Sequence, residues 1–258
     1  MQRAWATPLE ALLVAERAAL LTGRDDEFTM LVTIGYTGMR WGETIGLECD
    51  LLLPSLINLE WQLREINGRF HRLPPKDDSY RSTNVEPFVP VDILADLLTA
   101  QARARRQFAC AAEHGGSGRY AFLGPDGGHH RRSNFARRVF RPACDGRHPP
   151  AKGAEGRLVV VDAAGWPGIP VASWPPAIPG TPSGRGSPRL ISTENSGRCQ
   201  ACGYAVRLRL DGGPSPHKND AGACPGSGEQ PASDAPLACW LPIKEGLTPH
   251  GLRHSHKT

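Results

Sequence analysis

Thr248-Pro249-His250-Gly251-Leu252-Arg253-His254-Ser255-His256-Lys257-Thr258 is the stretch on which the reading of this chain turns. Thr248 followed by Pro249 marks a helix start: a hydroxyl to accept from the first free N–H groups, then a proline where no amide hydrogen is needed. On such a helix His250 and Arg253, three residues apart, leave from the same face. A proton carrier beside a planar cation that grips two oxygens at once suits a phosphate under chemical attack. No tyrosine follows Arg253 in this sequence.

A chain of 258 residues can bury a substantial core, as one large domain or as a domain plus a module. No apolar run approaches the ~20 residues that span a bilayer. The start, Met1-Gln2-Arg3-Ala4-Trp5, lacks the apolar centre of a signal peptide. Both features predict a soluble cytoplasmic protein with no membrane partner. The net charge of +4 is too small to argue for nucleic acid, but its distribution says more. Nine arginines lie between Arg103 and Arg141 against only Glu113 and Asp126, a local charge of +7. Within that patch Arg131, Arg132, Arg137 and Arg138 are candidates for DNA contact. The competing reading is a solvated helix face.

Thr7-Pro8-Leu9-Glu10 is a capping box, and Gly23 sits where a C-terminal cap belongs, so a helix is predicted between them, with Leu9, Leu12, Leu13 and Leu20 along one stripe. Asp25-Asp26-Glu27 opens a second, strongly apolar helix over Phe28 to Tyr36, broken by Gly38. A third runs from about Arg40 to Leu47. Ile57, Leu59, Trp61 and Leu63 then alternate with polar residues, which predicts one half-buried strand. Asn67-Gly68 is a hairpin turn leading into a strand near 69–73. Another strand is expected over 83–88, a helix over 92–107, and a helix over Asn134–Arg141 with Ser133 as cap and Pro142 as stop. Residues 145–198 contain 18 glycines and prolines in 54 positions, which reads as loop, with one short strand at 157–162.

Four pieces in order resemble the catalytic domain of tyrosine recombinases, the phage integrases. Thr37-Gly38-Met39-Arg40-Trp41-Gly42-Glu43 resembles that family's first-arginine box. Pro75-Lys76-Asp77-Asp78-Ser79-Tyr80-Arg81-Ser82 is similar to its lysine-bearing β-hairpin. Ser133–Ala143 is similar to the arginine-containing helix of actinobacterial members, and His250-Gly251-Leu252-Arg253 resembles its His-x-x-Arg box. The resemblance implies a transesterification at a DNA phosphodiester that uses no metal and no nucleotide. Arg40 and Arg253 would meet the non-bridging oxygens, Lys76 would protonate the departing 5′-oxygen, and His250 would bond the phosphate. Glu43 would orient a neighbour. The family's tyrosine nucleophile and its N-terminal clamp domain have no counterpart here. The expectation is a truncated catalytic domain that is inactive alone.

A second constellation is Cys199-Gln200-Ala201-Cys202, His217 and Cys224, with spacing C-x2-C-x14-H-x6-C. Three thiolates and an imidazole satisfy tetrahedral zinc, and the Cys-x-x-Cys-Gly turn is a shape zinc knuckles use. A redox pair and four unrelated loop residues are the alternatives. Cys49, Cys110, Cys144 and Cys239 have no ligand spacing and read as ordinary reduced thiols. His129-His130 beside Arg131-Arg132 reads as a basic solvated loop touching phosphate, with a metal site as alternative.

The expected fold is therefore α+β: a mostly helical recombinase-like catalytic domain with a small antiparallel sheet, interrupted by a Gly/Pro-rich zinc-knuckle insertion. Its parts are 7–144, the linker 145–198, the knuckle 199–228, and a C-terminal part 236–258. The expected function is site-specific DNA recombination, with double-stranded DNA and other recombinase protomers in a synaptic complex as partners and structural zinc as cofactor. The alternatives are a catalytically dead DNA-binding remnant and a zinc-dependent interaction module. Type IB topoisomerases share the chemistry and are set aside for the short bacterial-looking boxes and the small chain.

Overall fold

The computed structural model describes residues 4–53, 56–85, 92–105, 119–149, 158–170, 196–199, 201–207, 214–228 and 237–255. The chain combines helices with small antiparallel sheets and divides into two compact units, 1–146 with 241–258, and 147–240.

In the first unit, α1 (Pro8–Thr22) and α2 (Asp25–Thr37) are set by their ends. The Thr7 hydroxyl accepts from the Glu10 N–H while the Glu10 carboxylate accepts from the Thr7 N–H, and Gly23 and Gly38 close the two helices in the left-handed region. The core face of α1 is not the leucine stripe. Leu9 is exposed, and Ala11, Val14, Ala15 and Ala18 are buried instead. Small side chains win because α2 approaches closely: a Cβ on Gly35 would lie 3.3 Å from that of Ala11. Nearly every side of α2 from Thr29 to Gly35 is buried, which explains its apolar composition. Its threonine hydroxyls are satisfied within the helix, Thr29 by Asp25 O, Thr33 by Thr29 O and Thr37 by Thr33 O.

After α3 (Trp41–Ile45) and a single turn at Cys49–Leu51, the chain forms β1 (Leu52–Leu53), β2 (Leu56–Leu59), β3 (Gln62–Ile66), β4 (Arg69–Leu73) and β5 (Arg81–Asn84). The single strand expected over 57–63 is two. β2 lies between β1 and β5, with Leu59 opposite Arg81, whereas among the described residues β3 pairs only with β4, with Ile66 opposite Arg69. Trp61 is the pivot: its indole N–H donates to Gly46 O at 2.9 Å and the Arg72 guanidinium stacks on its ring. The alternation survives the change of sheet, with Ile57, Leu59 and Leu63 buried and Trp61 half-buried. Asn67 and Gly68 both take positive φ, as the two-residue hairpin turn requires. The outer part of the strand expected over 83–88 lies outside the described residues.

α4 (Asp92–Arg105) follows, and residues 106 and 107 of its expected span lie outside the described residues. The next helix does not stop at Pro142. It runs through α5 (Arg132–Phe135), a π-turn (Ala136–Phe140) and α6 (Arg141–Asp145), ending on a left-handed Gly146. Arg141 N–H reaches back to Ala136 O, and this wider turn makes room for the proline ring that would strain an ordinary α-helix. α7 (Pro249–Leu252) completes the unit, its Thr248 hydroxyl accepting from Gly251 N–H. Arg17 of α1, buried, donates to the carbonyls of Ala143 and Leu241, and Ile243 N–H donates to Cys144 O at 2.8 Å. These bonds join the two chain segments of the unit.

The second unit contains β6 (Val160–Asp162) between β7 (Ile169–Pro170) and β12 (Leu237–Cys239), and two hairpins, β8 (Ser196–Arg198) with β9 (Ala205–Arg207), and β10 (Lys218–Asn219) with β11 (Gly222–Ala223). The Gly/Pro-rich stretch therefore contributes two strands to a sheet. Val159, Val161 and Trp240 form the buried side of that sheet. Trp240 N–H donates to Val159 O at 3.1 Å.

A Cβ on Gly42 would meet the Leu63 carbonyl oxygen at 2.6 Å, backbone that cannot swing aside. Gly42→Ala is expected to destabilise the first unit by about 2–3 kcal/mol, as overpacking does. Gly23→Ala, with open space around it, should cost only about 1 kcal/mol through its positive φ. Urea unfolding of both variants checks the order, and equal midpoints would remove the argument.

Candidate functional site

Glu43 organises the first candidate site. It occupies the third position of α3, its side chain fully buried, and its carboxylate accepts from Arg40 N–H at 2.7 Å. The same carboxylate accepts from Arg40 Nη1 at 2.9 Å and from Arg81 Nη1 and Nη2 at 3.1 and 2.8 Å. Burial pushes its pKa up, but the hydrogen bonds from Arg81 and Arg40 outweigh that and hold it below the ordinary value. Arg40 Nη1 also donates to Ser79 Oγ at 3.3 Å, and Ser79 Oγ donates to Lys76 O at 2.8 Å. Lys76 thus stands on a turn tied to Arg40, with its own ammonium exposed and 4.0 Å from Asp77. That turn joins two different sheets, with Asp77 and Asp78 at positive φ, rather than forming the tip of one hairpin.

Arg253, from the far end of the sequence, lies within the electrostatic reach of the same cluster. Its pKa is lowered by burial first, then by the charges of Arg40 and Arg81, with Glu43 opposing. α7 can hold it there because Gly251 passes close to the chain, where a Cβ would lie 2.8 Å from Ala4 O, and because Ser255 Oγ donates to Gly35 O at 3.2 Å. His250 is exposed on α7, edge-on to His254, which is tilted against Trp5. Arg40 and Arg253 therefore share one electrostatic site, with Arg81 as a third cation. Arg81 escaped the sequence reading. Its carboxylate partner, Glu43, lies 38 positions away, so no local spacing marks it.

The basic stretch divides. Arg131 pairs with Glu65, donates to Gly68 O at 2.9 Å and lies over the Phe70 ring, so it anchors the β3–β4 hairpin. Arg132, Arg137 and Arg138 are exposed on the helix that follows. His129 and His130 are not in a solvated loop. Both are buried, His129 edge-on to Tyr120 and Phe70, and His130 edge-on to Phe135. Neighbouring aromatic rings take up imidazole faces in the core as they would any flat side chain, which dipeptide composition alone does not reveal.

The second candidate site lies in the second unit. Cys199 precedes a turn in which Gly203, at positive φ, donates its N–H to Cys199 O at 2.7 Å, and Cys202 sits inside it. His217 precedes β10 and Cys224 follows β11, where Cys224 N–H donates to His217 O at 3.0 Å. The four ligand atoms lie within 4.8 Å of one another, a group that can hold a metal ion. Its donors, three sulfurs and one imidazole nitrogen, are compatible with zinc. The support is ordered too. His217 Nδ1 lies 2.9 Å from Ser215 O, which fixes the proton there and leaves the lone pair on Nε2, 3.3 Å from Cys202 Sγ. Burial pushes the Cys199 thiol up, but N–H groups of Cys202 and Ala201 aimed at the sulfur bring it below its ordinary value. A Cβ on Gly226 would come 2.7 Å from Cys199 Sγ, so glycine keeps the cluster open. Cys239, on β12, is exposed and outside it.

No protein-family model matches this chain, and no curated protein or solved structure matches it either. Among the described residues no helix is long and apolar enough to cross a membrane.

The buried histidine carries a pH signature. Burial, then the Arg24 guanidinium, push His130 down to about 4, so the unfolded chain binds the extra proton between about pH 6.5 and 4 and stability falls with acid in that window. Glu27, pushed up to about 7 mainly by burial, has the opposite sign and favours the folded state as pH falls from 7. In a Glu27→Gln background, the His130→Gln variant should therefore show a flatter loss of stability between pH 6.5 and 4, by up to about 3 kcal/mol. Urea midpoints across that range measure it. Parallel profiles with and without His130 would mean that it titrates normally.

Proposed function

We propose that the first unit is a DNA-binding domain of tyrosine-recombinase type that holds a phosphodiester between Arg40 and Arg253, and that its role is site-specific strand exchange in company with other protomers on duplex DNA. The observation that carries this reading is the cluster itself. Two arginines over two hundred positions apart share one electrostatic environment around a buried carboxylate. Glu43 fixes Arg40 in place, and planar guanidiniums are suited to meet phosphate oxygens bidentately. Lys76, on the turn bonded to Arg40 through Ser79, is the candidate proton donor, and the exposed His250 the candidate second phosphate ligand. Of the tyrosines, Tyr36 donates to Pro8 O, Tyr204 to Asp220, Tyr120 is buried and Tyr80 is exposed. None is assigned as nucleophile, so strand cleavage is not proposed for these residues acting alone.

Fluorescence anisotropy with a labelled duplex tests the reading. Arg40→Ala and Arg253→Ala are each expected to weaken binding about 5- to 50-fold and to lower the salt slope by about one unit, with Arg137→Ala/Arg138→Ala lowering it by about one to two. Wild-type affinity in both single variants would exclude the cluster as a phosphate site.

We also propose that Cys199, Cys202, His217 and Cys224 hold a structural zinc, which makes the second unit a zinc-dependent interaction module. Four protein ligands leave no open position for chemistry, and a segment with so few apolar residues gains folding energy from its metal. About one zinc per chain is expected by elemental analysis. Cys202→Ser should lose it and become protease-sensitive within 199–228 with α1 and α2 intact, whereas Cys239→Ser should do neither. Retention of zinc in Cys202→Ser would reject the ligand set.

A further inference from the structure

The β3–β4 ribbon has two faces of unlike charge. Glu65 and Phe70, opposite one another, turn to the side where Arg131 pairs with Glu65 and lies over the Phe70 ring. On the other side Arg64 stands opposite His71, and Ile66 opposite Arg69, and all four are exposed. The only acidic residue of the two strands is therefore on the far face and already neutralised. Among the described residues no ion pair engages Arg64 or Arg69, while Arg72, on the Glu65 side, is stacked on Trp61 and 4.0 Å from Glu48. Direct opposition across antiparallel strands keeps these side chains within about 5 Å at Cβ, so the two guanidiniums and the imidazole form one dense patch with an apolar side chain between them.

The ribbon is also held still. Arg131 bonds both the Glu65 carboxylate and the Gly68 carbonyl at the turn, and Asn67-Gly68 fixes the register. A five-residue ribbon spans about 16 Å, the distance over which duplex DNA presents several phosphates on each strand. Arginines outside any ion pair of the described residues, presented on a rigid ribbon with no acid on the same face, complement a polyanion.

We propose that the outer face of this ribbon, Arg64, Ile66, Arg69 and His71, is a second contact surface for duplex DNA, separate from the Arg40–Arg253 cluster. Arg64 and Arg69 meet phosphates and Ile66 packs against sugar between them. The inference rests on the DNA-binding reading of the first unit. It assigns contact to residues outside the basic stretch 103–141.

The test compares the full chain with Arg64→Ala/Arg69→Ala and Arg64→Lys/Arg69→Lys in salt-titrated binding to a duplex DNA and to a duplex RNA. The alanine pair is expected to lower the slope of log K against log salt by about two units and to weaken DNA binding at low salt about 10- to 100-fold. The lysine pair should keep most of the slope, because charge rather than shape carries the contact. Unchanged thermal midpoints in both show that the ribbon stays folded. If the wild-type chain binds no duplex DNA, the DNA reading fails and this surface with it. If it binds and the alanine pair keeps the wild-type slope, the ribbon alone is rejected. An arginine-dependent slope on duplex RNA and none on DNA would overturn the choice of partner.

Discussion

A carboxylate sealed from water between two guanidiniums governs the first unit. An isolated charge at Glu43 would be costly to bury, and removing either partner of such a pair typically costs about 3–5 kcal/mol. The pair is tolerated because every lone-pair direction is used: a backbone N–H and one guanidinium nitrogen from Arg40, and two from Arg81. Its consequences are geometric. It ties the start of α3 to the start of β5, and through Arg40 and Ser79 it sets the turn that carries Lys76. Gly42 and Gly46 let α3 lie directly on β3, so the carboxylate's position follows from backbone contact rather than from long side chains.

The second constraint is the closing of a unit made from two distant pieces of chain. Arg17, buried in α1, offers its guanidinium to carbonyls on both pieces, Ala143 and Leu241. Burial lowers its pKa, but from so high a starting value that it remains a cation. Together with the Ile243–Cys144 bond this keeps the departing and returning segments side by side, which is what allows Arg253 to sit among residues from the first half of the sequence. Residues 147–240 can be accommodated between those points because closing a longer loop adds little further entropy once its ends are fixed.

Local chemistry was legible in the sequence wherever one residue decides a conformation. Thr7-Pro8 with Glu10, Gly23, Gly38, Asn67-Gly68 and Thr248-Pro249 all mark the elements they should. The metal-ligand spacing was legible for the same reason, since a Cys-x-x-Cys turn is local and His217 and Cys224 flank a single hairpin. What failed depended on packing and backbone geometry that no single residue announces. In α1 Leu9 is exposed and Leu12 only partly buried against the core, while alanines take the closest face because α2 comes close. The strand over 57–63 broke at Trp61 because Gly46 and Arg72 claim its N–H and its ring. Pro142 did not stop its helix because a π-turn absorbed it. His129 and His130 looked solvated because the dipeptide does not show that the fold sets Tyr120 and Phe70 against the one and Phe135 against the other.

The charge count illustrates the same limit with consequences for binding. A local excess of +7 between positions 103 and 141 treats every arginine as available to an anion. The structure commits two arginines of that stretch to partners, and others outside it likewise. Arg131 is committed to Glu65 and Gly68, Arg141 lies 3.4 Å from Asp145, Arg24 is bound to Asp26 and Leu123 O, and Arg72 to Trp61. Others never counted in the patch, Arg64 and Arg69, stand exposed on a rigid ribbon. A guanidinium offers a phosphate the donors that nothing else has claimed: among the described residues Arg40 gives only Nη1, to Glu43 and Ser79, whereas Arg131 gives Nη1 to Glu65 and Nη2 to Gly68. The proposed binding of a polyanion would therefore draw on the guanidinium donors that the fold leaves facing outward, and those are only partly the ones that cluster in sequence.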